Sequence, residues 1–296
     1  MGFEIERKGG VRKPKVCVLR TAGTNCDKET AFAFEEAGAL AQLVHINKFI
    51  CGREKLADYQ ILAFPGGFSY GDDLGAGKVL ANELRFKLQD DIKEFVARGK
   101  LIIGICNGFQ ILVKAGLLPG NGGFKQEASL IINDSAKFED RWVHLRSQDL
   151  KGKKQKCVWV KNLPEVIYLP VAHGEGKFIT RDKTSLEKIK RNGQIVFQYC
   201  DTAGRLVGYP DNPNGSMESI AGICDDTGRI LGLMPHPERH IQVAQHPRWQ
   251  VLSAGLRLWQ KDAKACPPGL QIFKNGVDYA KRYLSPFAEN HAHVRR

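Results

Sequence analysis

The chain has 296 residues, 43% of them hydrophobic and 26% charged, which is enough to bury a full core and ordinary for a globular protein. Apolar runs such as residues 101–106 are far too short to cross a bilayer, and the opening MGFEIERKGGVRKPK lacks the apolar stretch of a secretory signal, so a cytoplasmic protein with no membrane partner is expected. The formal charge of +12 sits in mild clusters at 7–15, 151–156 and 183–191 without interleaved aromatics; it reads as solvated surface that steers an acidic partner or anionic substrate, and no nucleic acid is expected.

Residues 1–14 read as a flexible basic leader. A β-rich run at 15–20 (KVCVLR) follows, then a helical pattern at 27–37 with Asp27 as N-cap and Gly38 as its stop. Further strands are expected at 41–46, 60–64 and 100–105, with helices at 79–98 and 107–115. Short apolar strands separated by helices imply a parallel sheet covered on both faces. From about Gln126 the pattern turns strand-rich, with runs at 157–160, 166–171 and 195–200. Runs at 219–225 and 229–234 flank Asp226-Thr227-Gly228 as a hairpin. A closing helix is expected at 248–260 and a short one near 277–284. The pattern describes one α/β domain over 15–262, a mostly parallel central sheet with an added antiparallel portion, followed by a C-terminal extension at 263–296.

None of the eight cysteines forms a CxxC pair or is spaced with histidines as a zinc site requires, so no metal is expected and the thiols read as reduced. Cys17, Cys157, Cys200 and Cys224 lie in apolar runs and read as core residues. Cys106 differs. In LIIGICNGFQIL, residues 101–112, a strand runs straight into Gly104-Ile105-Cys106-Asn107-Gly108 and a helix begins at once. That is the small-x-nucleophile-x-small pattern of a nucleophile elbow, where glycines are needed because side chains two positions away would collide. The following helix N-terminus favours a thiolate and helps hold an oxyanion.

Two other fragments sit at strand ends. In Met234-Pro235-His236-Pro237-Glu238, the proline biases His236 to an extended backbone, so residues i and i+2 share a side and Glu238 can orient the imidazole. His236 would then serve Cys106 as base. Phe64-Pro65-Gly66-Gly67-Phe68 leaves the backbone open to a ligand, with the Gly67 N–H a candidate oxyanion donor beside that of Asn107. All three fragments fall on the strand edge where open α/β sheets bind ligands.

GICNGFQ, with PGGFSYGD upstream and MPHPE downstream, resembles the class I, triad-type glutamine amidotransferases, over about residues 15–260. The stretches Asn133-Asp134-Ser135, Phe138-Glu139 and Ala172-His173-Gly174-Glu175-Gly176 make the likeness closest to the glutaminase subunits of phosphoribosylformylglycinamidine synthase. The resemblance implies a flavodoxin-like amidotransferase fold and a Cys106, His236, Glu238 triad. It implies an oxyanion hole from the Gly67 and Asn107 amides, and glutamine-binding roles for Gln110, Asn133, Ser135 and Phe138. It further implies no cofactor in this chain, a synthetase partner that uses ATP and magnesium, and a small bridging subunit. For His173-Gly174-Glu175-Gly176 it assigns no catalytic role, leaving partner contact and ligand-side packing open. Relatives on the same fold with other hydrolase activities place histidine directly after the cysteine, where Asn107 stands here. A non-catalytic scaffold has only the +12 charge in its favour.

Overall fold

A nine-stranded sheet carries the molecule, in the order β2-β1-β3-β4-β11-β10-β9-β6-β7. The structure is a computed structural model and describes residues 13–120, 124–147, 156–251 and 266–284. The first half is parallel: β1 (Lys15–Arg20), β2 (Leu40–His45), β3 (Ile61–Phe64), β4 (Leu101–Ile105) and, returning late in the chain, β11 (Ile230–Leu233). β3, β4 and β11 are buried at every residue, as strands covered on both faces must be. The second half is antiparallel: β10 (Ile220–Cys224), β9 (Ile195–Cys200), β6 (Glu139–Ser147) and β7 (Val166–His173). β5 (Ala128–Ile132) and β8 (Glu175–Thr180) form a separate two-stranded ribbon.

The helices are α1 (Asp27–Glu36), α2 (Ile46–Ile50), α3 (Lys78–Lys87), α4 (Gln89–Ala97), α5 (Asn107–Ala115), α6 (Lys183–Arg191) and α7 (Pro268–Tyr283). Several expectations need correcting. The helix expected over 79–98 is two helices, α3 and α4, broken at Leu88, whose φ/ψ of −129°/15° is not helical. Asp27 is the first helical residue of α1, not its cap; Cys26 holds that position and makes no side-chain cap bond. The apolar run at 157–160 is a 3-10 turn in which Trp159 is fully buried and donates Nε1–H to the Arg229 carbonyl at 3.0 Å. Its hydrophobicity marks core, not strand. β5, β6, β8, α2 and α6 had no counterpart among the expected elements. The leader at 1–12 and most of the closing helix expected at 248–260 lie outside the described residues.

α7 begins well before the short helix expected near 277–284, and it packs on the domain itself. Phe273 meets Phe34 edge to face at 4.8 Å, and Ile272, Phe273 and Val277 are fully buried, each worth about 1.5–3 kcal/mol against exposure. Asn275 donates to the carbonyls of Trp159 (2.8 Å) and Lys161 (2.7 Å). Gly269 sits so tightly on the turn at 237–239 that a Cβ there would fall 2.1 Å from the Pro237 carbonyl oxygen. The helix therefore buttresses the segment that carries Glu238.

α6 supplies a local test. Asp182 is its N-cap, accepting from the Ser185 N–H at 2.7 Å and the Ser185 hydroxyl at 2.8 Å. Asp182→Ala is expected to cost about 1 kcal/mol, read as a lower denaturant midpoint at unchanged slope.

Candidate active site

Six chain segments at one edge of the sheet enclose a cavity of about 420 Å³. They are the ends of β1, β3, β4, β7 and β11 and the start of β6, so the parallel half contributes four and the antiparallel half two. Cys106 tops β4 with φ 51° and ψ −106°, a conformation costly for any residue with a Cβ. Its own N–H donates to Leu233 O (2.8 Å), and its carbonyl accepts from Gln110 N–H (3.1 Å), so strand and helix pin the strained turn from both sides. The thiol lies 3.6 Å from the Ala172 carbonyl.

The His236 Nδ1 to Glu238 Oε1 distance is 2.6 Å, with both side chains almost wholly buried. The contact exists, but not by the route expected. Only His236 is extended (φ −101°, ψ 90°), and Pro237–Arg239 close a 3-10 turn that swings Glu238 back under the ring. The His236 N–H is tied to Pro170 O at 2.8 Å, which fixes the turn to β7. Among the described residues, His236 Nε2 and Glu238 Oε2 are buried without a hydrogen-bond partner. Burial opposes a charged imidazole, but Glu238 and then Cys106 outweigh it and hold the His236 pKa well above the usual range.

Opposite stands the loop after β3. Gly67 has φ 137°, and a Cβ there would lie 2.7 Å from Asn25 N, so only glycine fits. Among the described residues, neither the Gly67 nor the Asn107 N–H donates to another group. The Asn107 side chain accepts from Ser69 N–H (3.2 Å) and donates to Asp72 (3.1 Å) and Gln110 (2.9 Å). Gln110 in turn donates to the Glu175 carbonyl at 2.5 Å. These bonds lock the loop against the start of α5.

Of the four residues expected to bind glutamine, Gln110 and Phe138 line the cavity. Asn133 and Ser135 do not. The Asn133 amide is spent on the carbonyls of Lys137 and His173 and on the Gly176 N–H, and Ser135 donates to Glu139 at 2.6 Å. They brace the wall from behind. His173, Gly174 and Glu175 are part of that wall. Lining residues without a counterpart among the expected ones are Asn25, Cys26, Ala76, Asp140 and Arg239, while Asp72 belongs to the PGGFSYGD motif. Their one signal was position: Asn25 and Cys26 follow β1 as Cys106 follows β4.

His173 is buried against Gly176 with its Nδ1 3.1 Å from Asn133 Oδ1, and burial, helped by His236, lowers its pKa to about 4. The folded state keeps it neutral while the unfolded chain protonates it below about 6.5. Its contribution is therefore present above pH 6.5 and lost as pH falls towards 4, a span of about 3 kcal/mol. In urea titrations, the stability gap between wild type and His173→Asn is expected to narrow by up to that amount across this window; a constant gap would refute it.

Residues 13–280 match the family described as the CobB/CobQ-like glutamine amidotransferase domain. The phosphoribosylformylglycinamidine synthase subunit PurQ of Methanococcus maripaludis is 46% identical, over 90% of this chain and 98% of its own. That of Dehalococcoides mccartyi is 48% identical, over 91% and 99%. A chain in the structure of PurLQS from Thermotoga maritima superposes with a TM-score of 0.66 at 31% identity, covering 90% of this chain and 99% of that one. The elbow, the buried imidazole–carboxylate pair and the free amides thus occur in a chain that belongs to the glutamine amidotransferase family, among the PurQ subunits of phosphoribosylformylglycinamidine synthase.

Proposed function

We propose that this chain hydrolyses L-glutamine to glutamate and ammonia, and passes the ammonia to a synthetase subunit that converts formylglycinamide ribonucleotide to formylglycinamidine ribonucleotide. The observation that carries the reading is Cys106, on its strained turn, lining one cavity with His236, whose imidazole Glu238 holds. The Cys106 sulfur attacks the side-chain amide carbon, and the oxyanion that forms is met by the free N–H groups of Gly67 and Asn107. The His236 imidazolium, held by Glu238, protonates the leaving nitrogen; ammonia departs and a glutamyl thioester remains. His236, now neutral, takes a proton from water, which attacks the thioester and returns Cys106 as glutamate leaves. Gln110 and Phe138 shape the glutamine pocket, while Asn133 and Ser135 hold the wall behind it.

The partner synthetase supplies ATP and magnesium, and a small third subunit bridges the two chains, in line with the three-component name PurLQS of the similar structure. No cofactor is assigned to this chain. A cytoplasmic setting is part of the same proposal; among the described residues no helix is long and apolar enough to cross a membrane.

The test is glutamate release from glutamine with and without the synthetase, beside labelling by an electrophilic glutamine analogue. Turnover stimulated by the synthetase, with the label on Cys106, is the expected result. No turnover under either condition and no label on Cys106 would refute the reading.

A further inference from the structure

We propose that the cavity also contains a binding site for a zinc-type divalent ion, formed by Cys26 Sγ, the Glu29 carboxylate and Nε2 of His236. An ion there would take His236 out of the reaction. That second statement rests on the reading of His236 given above; the first does not.

One ligand atom from each of Cys26, Glu29, His236 and Glu238 lies within 4.8 Å of all the others. Two of these side chains carry a buried atom with no partner among the described residues, His236 Nε2 and Glu238 Oε2. Because Glu238 Oε1 holds Nδ1 at 2.6 Å, Nε2 is the nitrogen left to bind a metal. A carboxylate on one imidazole nitrogen and a metal on the other is the usual arrangement around ligating histidines. Gly66 keeps the space open: a Cβ there would lie 2.8 Å from His236 Cε1 and 3.1 Å from Cys26 Sγ.

A thiolate, an imidazole and a carboxylate select zinc over magnesium or calcium, which prefer oxygen alone. Tetrahedral zinc at 2.0–2.3 Å from its ligands separates them by about 3.3–3.8 Å, so the group must contract by about 1 Å. Glu29, more than a third exposed, can move that far. The position already attracts a cation. Arg239 donates to Cys26 Sγ at 3.3 Å and to Glu29 Oε1 at 3.1 Å, a tethered guanidinium between two of the three ligands. Its side chain is 37% exposed, so it has a path to solvent when an ion displaces it. Arg239 is thus the competitor that sets the affinity.

The experiment titrates the full-length chain with Co2+, which reports thiolate ligation through its charge-transfer absorption, and then with Zn2+ in competition. One ion per chain with a cobalt–thiolate band is expected. Cys26→Ser should remove the band and weaken Zn2+ by at least about tenfold, Arg239→Met should tighten it, and Cys106→Ala should keep the band. Glu29→Gln is a second ligand variant should Cys26→Ser fail to fold. Absence of the band in the wild type, or its survival in Cys26→Ser, overturns the site. Hydrolysis of glutamine by wild type should fall with Zn2+ and recover with a chelator; binding without inhibition would overturn the inhibitory role alone. The absorption is read without glutamine, so a chain that neither turns over with the synthetase nor takes the label on Cys106 would sink the glutaminase reading and leave the metal site standing or falling by itself.

Discussion

Cys106→Ala is expected to lower glutamine hydrolysis by at least about 10⁴-fold while leaving the fold in place. The size follows from the geometry. No other thiol stands on the elbow at the head of α5, and without a sulfur there no thioester forms, so only the free amides and the cavity remain to assist water. Stability should change little, because the substitution removes one buried sulfur and keeps the Cβ on the strained turn, within the range of about 1 kcal/mol common to point changes. Steady-state glutamate release and a melting curve on the same preparation check both halves. Residual activity within tenfold of wild type would remove Cys106 from the role of nucleophile. Cys26 would then be the thiol to examine next, since it lines the same cavity.

Gly108→Ala is expected to cost about 3 kcal/mol or more and lower the melting temperature by about 10 °C. A Cβ on Gly108 would sit 1.9 Å from the Phe64 carbonyl oxygen and 2.7 Å from its carbon, and backbone of a central strand cannot step aside as a flexible side chain can. The strand must move away from α5. Since Phe64 leads directly into Pro65-Gly66-Gly67, that movement also displaces the candidate oxyanion donor, so activity should fall with stability. Gly208→Ala is the control: nothing lies within 4 Å of a Cβ there, and it should change stability by less than about 0.5 kcal/mol. Equal melting temperatures for the two variants would mean that the close approach of strand and helix is not what requires glycine.

The elements read most accurately were those whose signal is local. β1, α5 and β9 have the bounds their patterns indicate, and the expected hairpin at Asp226-Thr227-Gly228 forms, with Cys224 opposite Leu231. Gly104 and Gly108 flank Cys106 because strand, turn and helix are consecutive, so a short window carries the whole steric argument. Reading failed where neighbours distant in the chain decide. Leu88 breaks a continuous helical pattern and is itself buried against the core. Trp159 lies in a strand-like run but is held by Arg229, seventy residues on.

The chain by itself determined the chemistry at each strand end: a cysteine between glycines, a histidine two residues from a glutamate, a glycine pair after an apolar run. It also determined the alternation of short apolar strands and helices, which is enough to imply that these ends share one edge. Only the tertiary structure decided which residues meet there. Arg239 reaches Glu29 across 210 positions and Cys26 across 213, because β11 returns beside β4 after the whole antiparallel half has been laid down. The same folding turns Asn133 inward to hold His173 instead of outward to a ligand. Side-chain periodicity reports the face of an element, while strand order is settled by the packing of the complete sheet, so those contacts have no signature in any local stretch.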